Sequence, residues 1–415
     1  MAHTLNLITG APATIEEAFL DRIRQLRQAD PLSPIDVLVG GVLMRPYLQR
    51  LIAESSPGLL NVRFSTLGEL GLRLGEPALA SSSRRPLPAM AERAYVAEAA
   101  RGCSGYFAPV ASTPGFAEVA RRLLRELRQE RITPDALGEQ AAQMESDAKA
   151  DDLVDLYRRY LDGRSGYYDG IDALAAGDAA RFDGIELLVV GIWRLPAIAR
   201  GLVEQIAQCL PVTVFLPSVA PDADGAHVEL RDWLEAAGCT VTAIGSPKPK
   251  SILATLQSRL FDLTTPIALD ESVELLSAPD PLAETKEAAR ACLAWAEQGI
   301  PFRQMAVTYR QAELYRPLVE AVFTEAGIPV YLDDGPSLAE RPLGRRILAL
   351  LDLIESPLRR PDVMAFLSDG RMPKATRERF GGAPAARWDS ASRVDSGPCS
   401  DCASRSDSPR RLRFP

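Results

Sequence analysis

The first residues with chemical potential follow the opening apolar run, in LNLITGAPATIEEAF. A short run that ends in Gly10 and leads into a helical pattern is where a phosphate-cradling loop would sit. Such a loop, GxxxxGK[ST], holds phosphates on backbone amides, reaches the outer ones with lysine and fixes magnesium with a hydroxyl. Gly10 fills the first glycine position, but Ile15, Glu16 and Glu17 stand where the second glycine, the lysine and the hydroxyl are needed. The cation is thus replaced by a carboxylate. Glu16 and Glu17, read as lying in the first turn of the helix, would stabilise its positive end themselves and repel a triphosphate. Thr14 and Glu17 also have the spacing of a capping box.

Metal and nucleophile chemistry find less support. His3 and His227 are the only histidines, which leaves no basis for a histidine triad or metal centre. Cys103, Cys209, Cys239 and Cys292 stand singly and read as small buried thiols. Cys399 and Cys402 have ligand-like spacing, but the second pair that a zinc site needs is missing. No metal site is expected. Arg121, Arg122, Arg125 and Arg128 follow one another along a helical pattern. That spacing fits a stripe tracking nucleic-acid phosphates. It equally fits a salt-bridged solvated face, because Glu126 and Glu130 interleave with the arginines.

The elements that position these residues alternate. IDVLVGG and VRFS are strand-like runs, each followed by a helical pattern, which argues a parallel α/β sheet. From 81 to 180 helical patterns dominate (AERAYVAEAAR, GFAEVARRLLRELRQE, DDLVDLYRRYL), the mark of a helical insertion. IELLVVG and VTVFLP return to α/β. A Pro/Asp/Gly/Ser-rich stretch over 218–269 reads as a linker with one helix. A second unit starts near 270, where Asp280 and Pro281 suit the N-cap and first position of a helix that Gly299 closes. VELLSAPD (a strand with a turn), MAVTYR and IPVYLD are its expected strands, and Leu343, Ile347, Leu350, Leu351 and Ile354 form one helical face. The expected domains are therefore 1–80 with 181–217, an insertion over 81–180, the linker, an incomplete second α/β domain over 270–387, and a disordered Ser/Asp/Arg-rich tail over 388–415.

The balance of the 415 residues agrees. Forty-seven basic against 55 acidic residues give a net charge of −8, and 47% of residues are hydrophobic. This excludes a disordered chain and a protein that coats nucleic acid by bulk charge, so any DNA attraction must be local. Neither an apolar run of spanning length nor a secretory signal is seen, and a cytoplasmic protein without membrane attachment is expected.

Several segments together resemble a known family. They are STPGFAEVARRLLRELRQERITPDAL, DLVDLYRRYLDGRSGYYDGID with Tyr157, Tyr160, Asp169 and Asp172, LLVVGIWRLPAIARGLVEQIA, and the stretch from SAPDPLAETKEAAR to GIPVYLD. In order and spacing they resemble the AddB/RexB-type subunits of bacterial helicase–nucleases, relatives of UvrD-type superfamily 1 helicases. The resemblance covers roughly residues 1 to 390. It implies two RecA-like parallel-sheet units, the first carrying the all-helical insertion.

It also assigns expectations to single residues. A working helicase would end the strand at Val190 in Asp-Glu, where this chain has Gly191 and Ile192. With Gly10, Glu16 and Glu17 this makes a degenerate nucleotide site. Arg310 matches an arginine that reaches the terminal phosphate in active relatives, and Glu284 matches a recurring helix acid. Ser65 and Thr66 resemble the pair that places a hydroxyl on a single-strand phosphate; helix capping is the plain alternative. With Arg121, Arg125 and Arg128 they are the DNA-binding candidates. The implied function is a catalytically inert, DNA-binding scaffold within a double-strand-break repair helicase–nuclease subunit. The alternative is an ATP-dependent DNA helicase or exonuclease whose active residues depart from the usual motifs. The implied partners are DNA ends, single-stranded DNA and an AddA-type subunit. No cofactor is expected in this chain, whereas full-length relatives carry magnesium and an iron–sulfur cluster, with ATP on the partner subunit. Nothing in the sequence matches the family's C-terminal nuclease module, and a truncated or frame-disrupted product is the expectation.

Overall fold

The structure, a computed structural model, describes residues 5–55, 60–88, 90–142, 147–218, 224–245, 252–259, 270–332, 339, 341–355 and 360–368. The chain divides into two compact units, Met1–Val273 and Glu274–Pro415.

The first unit opens with β1 (Leu5–Gly10), α1 (Pro12–Ala29), β2 (Ile35–Val39), α2 (Met44–Ser55), β3 (Val62–Ser65) and α3 (Leu67–Ser81). The insertion follows as β4 (Arg85–Pro86), α4 (Ala91–Arg101), α5 (Pro114–Gln129), α6 (Pro134–Ala141), α7 (Asp147–Gly163), β5 (Tyr167–Tyr168) and α8 (Gly170–Ala175). The unit closes with β6 (Leu187–Val190), α9 (Ala197–Cys209), β7 (Val212–Pro217), α10 (Val228–Ala236), β8 (Thr240–Ala243) and α11 (Ile252–Ser258). The six long strands pair in the order β3-β2-β6-β7-β1-β8, and every pairing is parallel. A parallel sheet is buried on both faces, and the residue alternation shows it. Leu187, Val189, Val212 and Val214 face α3, α8 and α9, while Leu188, Val190 and Phe215 face α1 and α2. Phe19 of α1 meets Phe215 edge to face, centroids 5.6 Å apart. The fold fits a RecA-like α/β architecture.

Three sequence expectations change here. The segment read as a linker with one helix supplies α10, as foreseen, and also a second helix, α11, and β8, which pairs with β1 at the sheet edge. β8 is exposed along its whole length, so it lacks the apolar run that marks a strand. The helical block holds one short pairing, β4 with β5. Finally, α1 begins at Pro12, with Ala11 as an N-cap that provides no side chain. Glu16 and Glu17 therefore lie in the second turn, and Thr14 and Glu17 make no capping box. Proline suits the first helical position because its missing N–H has no partner there anyway, and it starts the helix early. Thr14 Oγ1 instead donates to Ala11 O (2.7 Å).

Two carboxylates are buried in the sheet near the amino ends of β2 and β6. Asp36 accepts from Arg63 (2.6 Å) and Arg73 (2.7 Å). Glu186 accepts from Arg22 (2.6 Å) and from Thr213 Oγ1 (2.6 Å). Buried charge is tolerated when it is paired and hydrogen-bonded in this way.

The second unit contains α12 (Pro281–Glu297), α13 (Ala312–Glu325), α14 (Pro342–Glu355) and α15 (Arg360–Ser368). Asp280 caps α12 through Ala283 N (2.8 Å), Pro281 is its first residue, and Gly299 has a positive φ of 90°, all as the sequence implies. Its core joins Ala289 and Cys292 to Val319, Val322, Phe323 and Ile328. The strands expected from VELLSAPD, MAVTYR and IPVYLD find no ladder partner among the described residues, and Leu275, Leu276, Val307, Val330 and Tyr331 stay exposed. A strand exists only through its neighbour's hydrogen bonds. α14 forms, but Leu343, Ile347, Leu350, Leu351 and Ile354 are exposed. Among the described residues no helix is long and apolar enough to cross a membrane. His3, Cys399, Cys402 and the tail over 388–415 lie outside the described residues.

Candidate functional site

Ligands of open parallel sheets bind at the carboxyl ends of the strands, where Gly10, Ser65 and Gly191 all lie. At Gly10 there is almost no loop. β1 ends and α1 begins with only Ala11 between them, and Pro12 removes one of the amides a phosphate would need. A Cβ on Gly10 would stand 2.8 Å from the Ile244 carbonyl, because the chain beyond β8 crosses over it. Ile244 N donates to Thr9 O (2.7 Å) and Ser218 N to Gly10 O (2.8 Å). Glu16 accepts from Tyr47 Oη (2.5 Å), and burial together with this bond pushes the phenol up to about 12. Glu17 is exposed.

The tip of β6 is shaped by two glycines. Gly191 has φ +66°, and a Cβ on Gly40 would fall 1.9 Å from the Gly191 carbonyl oxygen. The ends of β2 and β6 therefore touch backbone to backbone. Ile192 turns into the core and Trp193 outward against His227, centroids 5.7 Å apart. The next acid along, Glu204, accepts from Trp233 Nε1 (2.8 Å).

Thr66 is the N-cap of α3 in a reciprocal capping box with Glu69, so its hydroxyl is engaged in the manner the sequence allowed. Ser65 is buried at the end of β3, its hydroxyl without a hydrogen-bond partner among the described residues.

The arginines divide. Arg121 bonds Glu118 (2.8 Å) and Glu92 (3.1 Å), and the bonds from Arg121 and Arg122 pull Glu118 down to about 2. Arg125, with 48% of its side chain exposed, lies 4.0 Å from Glu92. Arg128 departs from the stripe, with only 6% of its side chain exposed. It grips Asp169 at 2.6 and 2.8 Å and meets Asp172 at 3.2 Å. Arg164, equally buried, bonds Asp169 (2.9 Å), Tyr160 Oη (3.1 Å) and Asp172. Burial opposes charge on Asp169, but Arg128 and Arg164 hold its carboxyl well below the usual carboxylate range. Burial also pushes the Tyr157 phenol up to about 12, and its hydroxyl bonds Ile132 O (3.1 Å). The acids that partner the α5 arginines are thus Glu92, Glu118, Asp169 and Asp172. Of the two interleaved acids, Glu130 reaches Arg194 (3.1 Å) instead.

One groove of about 290 Å³ gathers several of these regions: Leu67 and Gly68 beside Thr66, Arg125 and Gln129 on α5, Asp169 and Pro196. Residues from the α3 cap and from the insertion helix, far apart in sequence, share its walls. In the second unit, Arg310 and Glu284 line a separate hollow of about 790 Å³ with Tyr309 and Tyr315. The two tyrosine rings stack at 5.9 Å, and Tyr315 Oη bonds Glu284 (2.5 Å). The sequence reading missed Asp36, Glu186 and Arg164. The partners of Asp36 and Glu186 are distant in the chain, so spacing carries no sign of them, whereas Arg164 has Tyr160, Asp169 and Asp172 within eight positions.

A parallel sheet with a helical domain inserted between its third and fourth long strands fits an α/β architecture of RecA-like type. No family model matches the chain. Single proteins do. The B-type subunit of an ATP-dependent helicase/deoxyribonuclease from Symbiobacterium thermophilum is 25% identical over 397 residues, 84% of this chain and 34% of that protein. The protein of the same name from Moorella thermoacetica is 28% identical over 373 residues, 79% and 32% of the two chains. That of Acetivibrio thermocellus is 22% identical over 291 residues, 61% and 25%. The chain is a distant relative of AddB-type subunits, and it spans a minor part of the length of the curated relatives it matches.

Proposed function

We propose that this chain is the DNA-engaging, scaffolding portion of a helicase–nuclease subunit in double-strand-break repair, and that it turns over no nucleotide at its first-domain loop. The observation that carries the second half is the junction of β1 with α1. A triphosphate needs a loop of free amides, a cation and a magnesium ligand. Here Ala11 alone separates strand from helix, Ile244 covers Gly10, the cation's place holds Glu16, and β6 ends in Gly191 and Ile192. These residues do not fit nucleotide with magnesium. Nor do Cys103, Cys209, Cys239 and Cys292 suit an iron–sulfur cluster: they sit on separate elements, and burial pushes three of the thiols, Cys103, Cys239 and Cys292, up. The supporting observation for the first half is the shared name of the relatives, subunits of an ATP-dependent helicase/deoxyribonuclease. A partner subunit of AddA type would then supply ATP hydrolysis.

Titration with a fluorescent ATP analogue and magnesium tests the loop. The unmodified chain is expected to show no saturable binding there, and Glu16→Lys is expected not to restore it, because the loop itself is missing. Micromolar binding abolished by changes at Gly10 would overturn the reading.

DNA engagement is expected to be weak and salt-sensitive, since a molecule of net charge −8 must attract DNA through a local patch. Arg125 is the exposed candidate. Fluorescence anisotropy with single strands and DNA ends at low salt should detect binding. Arg125→Ala should lower the log–log salt slope by about one. Binding that is undetectable at low salt, or indifferent to it, counts against a DNA role.

A further inference from the structure

We propose that Glu130 and Arg131 form a clasp that fixes the helical insertion on α9, and that this clasp sets the width of the groove between insertion and sheet. Three separate features meet at the end of α5. Glu130 Oε2 accepts from Ala197 N (3.2 Å), the first amide of α9, whose own N-cap, Pro196, offers no side-chain acceptor. Its other oxygen accepts from Arg194 (3.1 Å). A side chain of the insertion thus caps a helix of the sheet domain.

Arg131 is the second feature. It has φ +57°, a conformation that favours glycine, and it ends α5 with Ile132 N donating back to Leu127 O (2.8 Å). This is the helix-ending geometry in which glycine is the usual residue. An arginine costs backbone energy there and is explained by what its side chain does. The third feature is Gly201 on α9: a Cβ there would stand 2.8 Å from an Arg131 guanidinium nitrogen. The guanidinium therefore lies directly on the helix at a position without a side chain.

The geometry links clasp to groove. Arg125 and Gln129 in one wall lie on α5, which runs directly into Glu130 and Arg131 at its end, and Pro196 in the other wall precedes Ala197. Movement at the clasp moves both walls. Arg194 and Arg200 share Glu229 behind it (3.3 and 4.0 Å), which ties α10 to the same corner.

Hydrogen exchange on the full chain tests this. Glu130→Ala should speed exchange in the first turn of α9 by about fivefold, the loss of one helix cap, while Glu130→Gln, which keeps an acceptor, should restore most of the protection. Arg131→Gly relieves the backbone and at an ordinary helix end would only stabilise. The clasp predicts the opposite at a distance: faster exchange in peptides covering 194–203 even though the end of α5 stays protected. Gly201→Ala, which displaces the guanidinium while favouring the helix, should reproduce that effect. Unchanged exchange over 194–203 in both Glu130→Ala and Arg131→Gly would overturn the proposal and leave Arg131 as a strained cap only.

Discussion

Asp169→Ala should cost about 3–5 kcal/mol of stability, the range for breaking a buried ion pair by removing one partner. Two guanidiniums, Arg128 and Arg164, are nearly inaccessible to water and share that carboxylate. Asp172 would remain as the carboxylate for both, beside the Tyr160 hydroxyl. The same substitution removes the N-cap of α8, since Asp169 accepts from Ile171 N (2.9 Å) and Asp172 N (3.1 Å). Urea denaturation followed by circular dichroism reads the loss directly. A loss under about 1 kcal/mol, the scale of an exposed pair, would mean that the network is hydrated in solution.

The pH dependence has a definite sign. Asp169 has a depressed native pKa, so the unfolded state binds the proton more readily, and stability falls as pH falls. Its contribution is complete above the unfolded carboxyl's ~3.9 and is lost progressively below that. The wild-type curve should therefore drop through that acid window more steeply than the curve of Asp169→Asn.

The second large effect concerns a glycine pair with opposite outcomes on one helix. Gly75→Ala in α3 should destabilise by about 1–3 kcal/mol or more, because overpacking here meets backbone that cannot rotate away. The added methyl would stand 2.0 Å from the carbonyl oxygen of Ala173 in α8, and at Gly71 it would stand 2.7 Å from Leu174. Gly68→Ala, in the first turn of the same helix, meets nothing within 4 Å and should stabilise by roughly 0.5–1 kcal/mol through helix propensity. Thermal unfolding of the two variants gives the comparison. Equal shifts of the same sign would show that α3 and α8 can separate without cost.

Much of the first unit was legible because a buried parallel strand reads as a largely apolar run, and IDVLV, LLVV and VTVFL do so, interrupted only by Asp36 and Thr213. β8 was hidden since TVTA carries little apolar residue and lies exposed at an edge. The start of α1 was misplaced because Thr14 and Glu17 spell a capping signal that Pro12 overrides. Arg128 shows the deeper reason for error. Its spacing from Arg121 and Arg125 is that of a helix face, yet its surroundings are decided by Asp169, forty-one positions away. Helical periodicity reports which residues share a side, not what covers that side. Tyr157, Tyr160, Asp169 and Asp172 were noticed only as marks of family resemblance. In the structure Tyr160, Asp169 and Asp172 share the Arg128 and Arg164 network, and Tyr157 packs beside Tyr160 with its hydroxyl on Ile132 O.

The strand register also bears on how the chain is made. β2 and β3 are neighbours in sequence and in the sheet, but β1 pairs only with β7 and β8, and Leu5 meets Val212. At ~5–20 residues per second, a ribosome would hold β1 without either partner for on the order of 10–40 s. During that interval the insertion, whose core of Val96, Leu124, Leu156 and Tyr160 comes from nearby helices, has what it needs to fold by itself. The apolar β1 would then be synthesised well before its partners and be among the last strands secured. That makes Leu5, Leu7 and the face of α1 natural ground for a nascent-chain chaperone.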